Sequence, residues 1–148
     1  MAPKASAIIT DELRTKIRAS GLRATAPRLA VFRSLLAAST PQSHAELVEQ
    51  LATEGWDRAT IYRNLTDLTE VGLVRRTDLG DHVWRFEALA EGKAHEQAEH
   101  PHFLCNVCGD VVCLPGESVQ ISAARGAPRA LRRKGLEIQL RGRCDRCA

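Results

Sequence analysis

Apolar residues recur at helical spacing through the first half of the chain and at shorter spacing after it. Leu13 and Ile17 stand four apart within DELRTKIRA, residues 11–19, which predicts a short amphipathic helix stopped by Gly21. Thr25 and Pro27 open a second helix in SGLRATAPR. Proline in a first turn loses nothing, because its N–H would have no intrahelical partner there. Leu29, Val31, Phe32, Leu35 and Leu36 form the apolar face of that helix. A third helix is predicted in TPQSHAELVEQLATEG. Ser43 and Glu46 have the S-x-x-E spacing of a capping box, Leu47, Val48 and Leu51 make the inner stripe, and Gly55 ends it. In WDRATIYRNLTDLTEVG, Asp57 is the N-cap of a fourth helix. Ile61, Leu65, Leu68 and Val71 then recur at i, i+4, i+7 and i+10 before Gly72.

The period then changes. LVRRTDLGDHVWRFE has two β-type runs around DLGD, the pattern of a β-hairpin. Residues 88–99, ALAEGKAHEQAE, read as a polar linker. HFLCNVCGDVVCL predicts two strands around a Cys-x-x-Cys-Gly turn, and GLEIQLRG a third strand. The fold class is therefore α+β. A winged helix-turn-helix domain is expected over residues 1–87, a linker over 88–99, and a small α/β domain over 100–148.

Composition adds three constraints. A chain of 148 residues holds one domain or two small ones, and aromatics at 4% leave the core to Leu, Val, Ile and Ala. Residues 1–77 carry 11 Lys+Arg against 8 Asp+Glu, whereas residues 78–148 carry 10 of each. The net excess of +3 thus falls in the N-terminal half, which suits an anionic partner there, although on charge alone a solubilising surface explains it equally well. No apolar run approaches the roughly 18 residues of a membrane span, and MAPKASAIIT lacks a signal-peptide core. A cytoplasmic protein without membrane partners is expected. Thiols stay reduced in that compartment, so close cysteine pairs point to metal or redox chemistry before disulfides.

The polar positions of the fourth helix suit a major groove. Arg58, Thr60, Tyr62, Arg63 and Asn64 are expected to be exposed. Arginine, asparagine and threonine read base edges or phosphates, and tyrosine contacts sugars or a thymine methyl. Arg75 and Arg76 lie on the hairpin, where a wing would meet the DNA backbone, and Arg23 and Arg28 flank the start of the second helix. Any single arginine here is more readily a solvated surface residue than a DNA contact. The combination of helices, polar face and basic hairpin is what points to double-stranded DNA.

The second half concentrates ligands. HPHFLCNVCGDVVC, residues 100–113, holds two of the five histidines and three of the five cysteines. Cys105-x-x-Cys108 and Cys144-x-x-Cys147 are matched knuckles, and two such turns complete a tetrahedral Zn–S4 site. The intervening 35 residues imply a strand–helix–strand excursion before the second knuckle returns. A thioredoxin-like motif would need only one pair, at a helix start, and Cys105 follows a β-type run instead. His100 and His102 would share a face of a strand, since strand side chains repeat every two residues. With Cys113, and with His82 or Glu87 as further donors, they suit a second metal of N/O/S preference.

The order of GLRATAPRLAVF, SHAELVEQL, DRATIYRNLTDLTEVGLV, WRFE, HPHFLCNVCG and RGRCDRC resembles the ferric uptake regulator family over roughly residues 10–147. The resemblance implies a homodimeric, metal-responsive DNA-binding repressor in which the C-terminal domain dimerises. It implies DNA contacts from Tyr62 and Arg63, and a regulatory divalent metal (zinc, iron or manganese) on Glu87, His100 and His102 beside the structural zinc. The chain departs from the family at four places. Pro41 stands where a ligand histidine is usual, so His44 or His82 would replace it or the ligand is lost. Cys113 stands where an acid is usual. Gly126 and Pro128 break the helix before the last strand. Leu136 replaces a histidine of an accessory site.

Metal-dependent repression at a palindromic operator is the leading reading. A peroxide-responsive repressor using Cys113 or a metal-bound histidine is the second. A thiol oxidoreductase or metalloenzyme is the third. It is disfavoured because a four-thiolate zinc site is closed to substrate.

Overall fold

The computed structural model describes residues 3–89, 101–115, 118–132 and 138–148. The chain divides into two compact units, Met1–Ala90 and Glu91–Ala148.

The first unit begins with α1 (Pro3–Ala19), longer at its start than the apolar spacing predicts. Among the residues of α1 whose side chains are described, Leu13 and Ile17 are buried. Gly21 takes φ +89, which lets the Leu22 N–H reach the Ile17 carbonyl and the Gly21 N–H reach Arg18. Those two bonds make a Schellman motif, satisfying carbonyls that a straight helix end would leave bare. Helix α2 (Ala26–Ala37) buries Ala30, Val31, Phe32 and Leu35. Leu36, expected on that face, is instead 36% exposed, and Ala30 takes its place against the core. At 100° per residue Leu36 falls about 40° beyond Phe32, at the edge of the buried arc that runs from Ala30 through Val31 and Leu35.

A two-residue strand β1 (Gln42–Ser43) precedes α3 (His44–Gln50). The capping box forms as spaced: Ser43 Oγ accepts from the Glu46 N–H, and Glu46 accepts from the Ser43 N–H at 2.6 Å. The helix is shorter than expected and tightens into a 3-10 turn over Ala52–Glu54 before Gly55. Asp57 caps α4 (Arg58–Glu70) through the Thr60 N–H at 2.6 Å. The Thr60 hydroxyl and N–H together hold the Asp57 carboxyl below its usual range. Ile61, Leu65 and Leu68 are wholly buried, whereas Val71 lies at the core edge. Gly72, at φ +75, ends α4 as Gly21 ends α1, with Leu73 bonded back to Leu68.

Strands β2 (Val74–Asp78) and β3 (Trp84–Ala88) form the expected hairpin, in register from Val74↔Ala88 to Asp78↔Trp84. Strand β1 adds to the far edge of β3, giving the order β1-β3-β2. Val74, Phe86 and Ala88 close the helical core from this sheet. Strand β3 itself ends one residue past the expected boundary at residue 87, and the Leu89 N–H still bonds to the Leu73 carbonyl. The rest of the predicted linker, residues 90–99, lies outside the described residues.

In the second unit β4 (His102–Cys105) is central, antiparallel to β5 (Val111–Cys113) and parallel to β6 (Gln139–Gly142). Among the described residues the excursion between β5 and β6 contains a 3-10 turn, Arg129–Arg132, rather than the α-helix expected there. Gly126 takes φ +89 and Pro128 follows it, so a helix cannot pass through. His100 and Leu136 lie outside the described residues, as does the first part of the predicted last strand.

Candidate nucleic-acid interface and metal centre

Helix α4 turns Ile61, Leu65 and Leu68 inward and leaves Arg58, Tyr62 and Arg63 outward, with Tyr62 47% exposed. Thr60 is half-buried. Asn64, expected on the exposed face, is buried, and its Nδ2 donates to the Thr60 carbonyl at 2.8 Å. It stands three residues after Ile61, which brings it to the edge of the apolar stripe. Its amide bonds to the helix backbone instead of facing outward. Arg28 on α2 forms an ion pair with Asp67 on α4 and donates to the Arg23 carbonyl at 2.7 Å. Arg23 itself is exposed. Between the two helices Arg28, Thr60, Arg63, Asn64 and Asp67 line an open cleft of about 280 Å³. The tie between Arg28 and Asp67 fixes α4 against α2.

On the hairpin the two neighbouring arginines have different surroundings. Arg76 is exposed, and its guanidinium lies 4.2 Å from the centroid of the Trp84 ring, which is itself 49% exposed. Arg75 is half-buried and donates to Glu87 at 2.8 Å, directly across the strand pair. Two residues expected in different roles, a backbone contact and a metal ligand, thus meet in one ion pair. His82 sits at the hairpin tip with φ +61 and its side chain almost wholly exposed. Its backbone N–H and that of Gly80 are held by Asp78. Asp81 grips the buried Arg85 through both oxygens at 2.9 and 2.8 Å, and that guanidinium draws the Asp81 carboxyl below its usual range.

His44, at the start of α3, contacts α4. Its Nε2 lies 2.9 Å from the Arg58 carbonyl, and its ring meets Tyr62 edge-on. Both contacts belong to the N-terminal turns of α4. The sequence alone gave no sign of them, since His44 and Tyr62 lie on different helices.

In the second unit the four knuckle cysteines converge. Their sulfurs all lie within 4.8 Å of one another, the one such group of ligand atoms among the described residues. Cys108 and Cys144 are 3.7 Å apart, sulfur to sulfur. Zinc bound tetrahedrally at about 2.3 Å per thiolate implies sulfur–sulfur edges of about 3.8 Å, whereas a disulfide would bring sulfurs to about 2 Å. The donor set and spacing therefore fit a structural zinc ion. Cys105 ends β4 opposite Gly142, which brings the first knuckle beside the second. The backbone N–H groups of Cys108, Cys144 and Val107 point at the Cys105 sulfur and lower its thiol to about 6. The neighbouring thiols of Cys144 and Cys108 push Cys147 up to about 12. Four sulfurs this close do not all ionise without a cation among them. Arg146 joins the knuckles from outside, 2.5 Å from Asp110. It also lies against Cys144, where a Zn–S4 centre of charge −2 would be partly balanced. Sequence reading passed over Arg146 because its partner is 36 residues away.

His102 is buried at the start of β4 and stands in register with Cys113 of β5. The strand thus places a nitrogen donor and a sulfur donor on neighbouring residues within one unit. Glu87 and His82 belong to the other unit.

A profile of the ferric uptake regulator family matches residues 19–136. The chain is 35% identical over 104 residues to the ferric uptake regulation protein of Bacillus subtilis, covering 68% of each. It is 30% identical over 100 residues to the peroxide-responsive repressor PerR of Staphylococcus saprophyticus, covering 66% of this chain and 63% of that one. The structure of the Helicobacter pylori ferric uptake regulator shares the fold, with a TM-score of 0.67 at 18% identity over 94% of this chain and 91% of that one.

Proposed function

Since the chain belongs to the ferric uptake regulator family of metal-responsive transcriptional regulators, we propose that it is a dimeric repressor whose hold on a palindromic operator depends on a bound divalent metal. The observation that carries this reading is the outward face of α4, with Arg58, Tyr62 and Arg63 exposed on a helix whose opposite side is locked into the core. A helix so presented fits a major groove, with arginine directed to guanine or phosphate and tyrosine to sugar or thymine. The half-exposed Trp84 and Arg76 pair lies on the wing, where a cation would meet phosphate. The four cysteines hold zinc for structure. A regulatory ion is assigned to Glu87, His100 and His102, completed by His82 or Cys113. Zinc, iron(II) and manganese(II) all accept nitrogen and oxygen donors, and zinc tolerates the softer Cys113 best. Such an ion acts by binding the DNA-competent conformer more tightly than the other.

DNA binding measured by fluorescence anisotropy, with each metal titrated separately, tests the reading. Arg63→Ala should weaken operator binding by about 1–3 kcal/mol if Arg63 makes a bidentate base contact. Binding that is unchanged for this variant, or independent of every metal, would count against it.

Glu87 cannot serve a metal and Arg75 equally. If Glu87 is a ligand, the Arg75 guanidinium competes with the ion. Arg75→Gln should then tighten metal binding, seen as a lower dissociation constant when the metal is titrated into the protein without DNA. Metal binding that is unchanged or weaker in this variant would count against Glu87 as a ligand.

Peroxide sensing is the second reading, favoured by Cys113 standing in register with buried His102. Peroxide would convert the Cys113 thiol to a sulfenic acid with loss of water. Cys113→Ser separates the readings: a sensor thiol requires that the variant stay on DNA under peroxide that releases the wild type.

A further inference from the structure

We infer that His44 is a positioning residue for operator recognition, holding Tyr62 in the orientation in which it meets DNA; this rests on the DNA-binding reading above. His44 opens α3, and its ring touches α4 at two places. Nε2 lies 2.9 Å from the Arg58 carbonyl oxygen. A carbonyl only accepts, so Nε2 carries the proton, and the backbone of α4 fixes the tilt of the imidazole. That ring then stands edge-on to Tyr62, with centroids 5.5 Å apart and planes at 77°. The arrangement is the T-shape that aromatic quadrupoles favour.

The two residues differ in their surroundings. Tyr62 is 47% exposed and lies outside the core cluster, so the hydrophobic core gives its ring little lateral support. His44 supplies that support from a helix start that is itself pinned by the Ser43–Glu46 capping box. A side chain ordered before binding loses less rotamer freedom on binding. The contact therefore acts on recognition more than on folding. His44 is only half-buried, and its removal leaves no cavity in the core.

The test uses the full-length, metal-loaded protein and a duplex that the wild type selects from a random library. Affinities are measured for the wild type, His44→Ala, Tyr62→Ala and the double variant. His44→Ala should weaken binding on the order of two- to tenfold. The double variant should bind no worse than Tyr62→Ala alone, because the histidine acts only through the tyrosine. His44→Phe, which keeps a ring edge, should recover most of the loss, and His44→Gln, which keeps only a hydrogen-bond donor, should not. Base preference should relax at the same operator positions in His44→Ala and Tyr62→Ala, while metal affinity and melting temperature stay at wild-type values. Independent, additive losses would overturn the proposal, as would a His44→Ala protein that binds like the wild type. A fall in metal affinity would also overturn it and make His44 a ligand. A wild type that selects no duplex would overturn the DNA-binding reading and this proposal with it, whereas additive variants of a DNA-binding wild type overturn this proposal alone.

Discussion

Cys144→Ser is expected to unfold the second unit, release its zinc and abolish the dimer, while the first unit keeps its fold. The reason lies in what each unit buries. Among the described residues the first unit has a continuous core, from Leu13 and Ile17 through Phe32, Leu47, Ile61 and Leu65 to Phe86. Among the described residues of the second unit only Pro101, His102, Leu104 and Cys105 are buried. A three-stranded sheet with so little covered apolar surface needs a staple. Structural zinc supplies about 10–16 kcal/mol of apparent binding free energy near neutral pH, which in such a unit is folding free energy. Cys144 is the sulfur 3.7 Å from Cys108, so its loss opens the tetrahedron between the knuckles. Zinc stoichiometry, light scattering and circular dichroism check the result. A Cys144→Ser protein that remains dimeric and retains one tightly held zinc would sink the structural assignment.

His102→Ala is expected to do the reverse, leaving structural zinc and the dimer in place while removing the metal response. His102 is not among the four converging thiolates, and it stands three residues before Cys105 on β4. If it ligates the regulatory ion, its loss should weaken metal-dependent operator binding by at least about 100-fold, since losing even a supporting partner of a ligand weakens metal binding by about 10–100-fold. Because His102 is buried, zinc content and melting temperature must be measured on the same sample. Full metal-dependent binding by a folded variant would remove His102 from the site.

The features legible in the sequence are those set by neighbours a few residues apart. The Ser43–Glu46 box, the Asp57 cap, the stops at Gly21 and Gly72 and the Ile61–Leu65–Leu68 stripe all lie within one or two helical turns. Helix periodicity and backbone hydrogen bonding determine them without reference to the rest of the fold. The cysteine pairs were legible for another reason: each knuckle is local, and a tetrahedral ion needs two of them. Side chains at the margins of a stripe were not legible. Leu36 and Asn64 each lie within a residue or a turn of buried positions, and only the packing of α2 and α4 decided that Asn64 turns in and Leu36 out. Strand β1 has two residues and no pattern to read, and it exists because β3 offers it an edge.

Tertiary structure also decided the partners of the charged and aromatic residues. Sequence composition made Arg75 and Arg76 equivalent. The hairpin register set one against Glu87, and the same sheet put the other over Trp84. The family resemblance offered His44 as a replacement ligand, and the approach of α3 to α4 sets its ring against Tyr62. Arg28 with Asp67, and Arg146 with Asp110, meet across 39 and 36 residues of chain. Hydrophobic pattern specifies which face of an element is buried. A salt bridge, a ring contact or a hydrogen bond depends on where a second element arrives, to within an ångström, and that is fixed only when the whole core has packed.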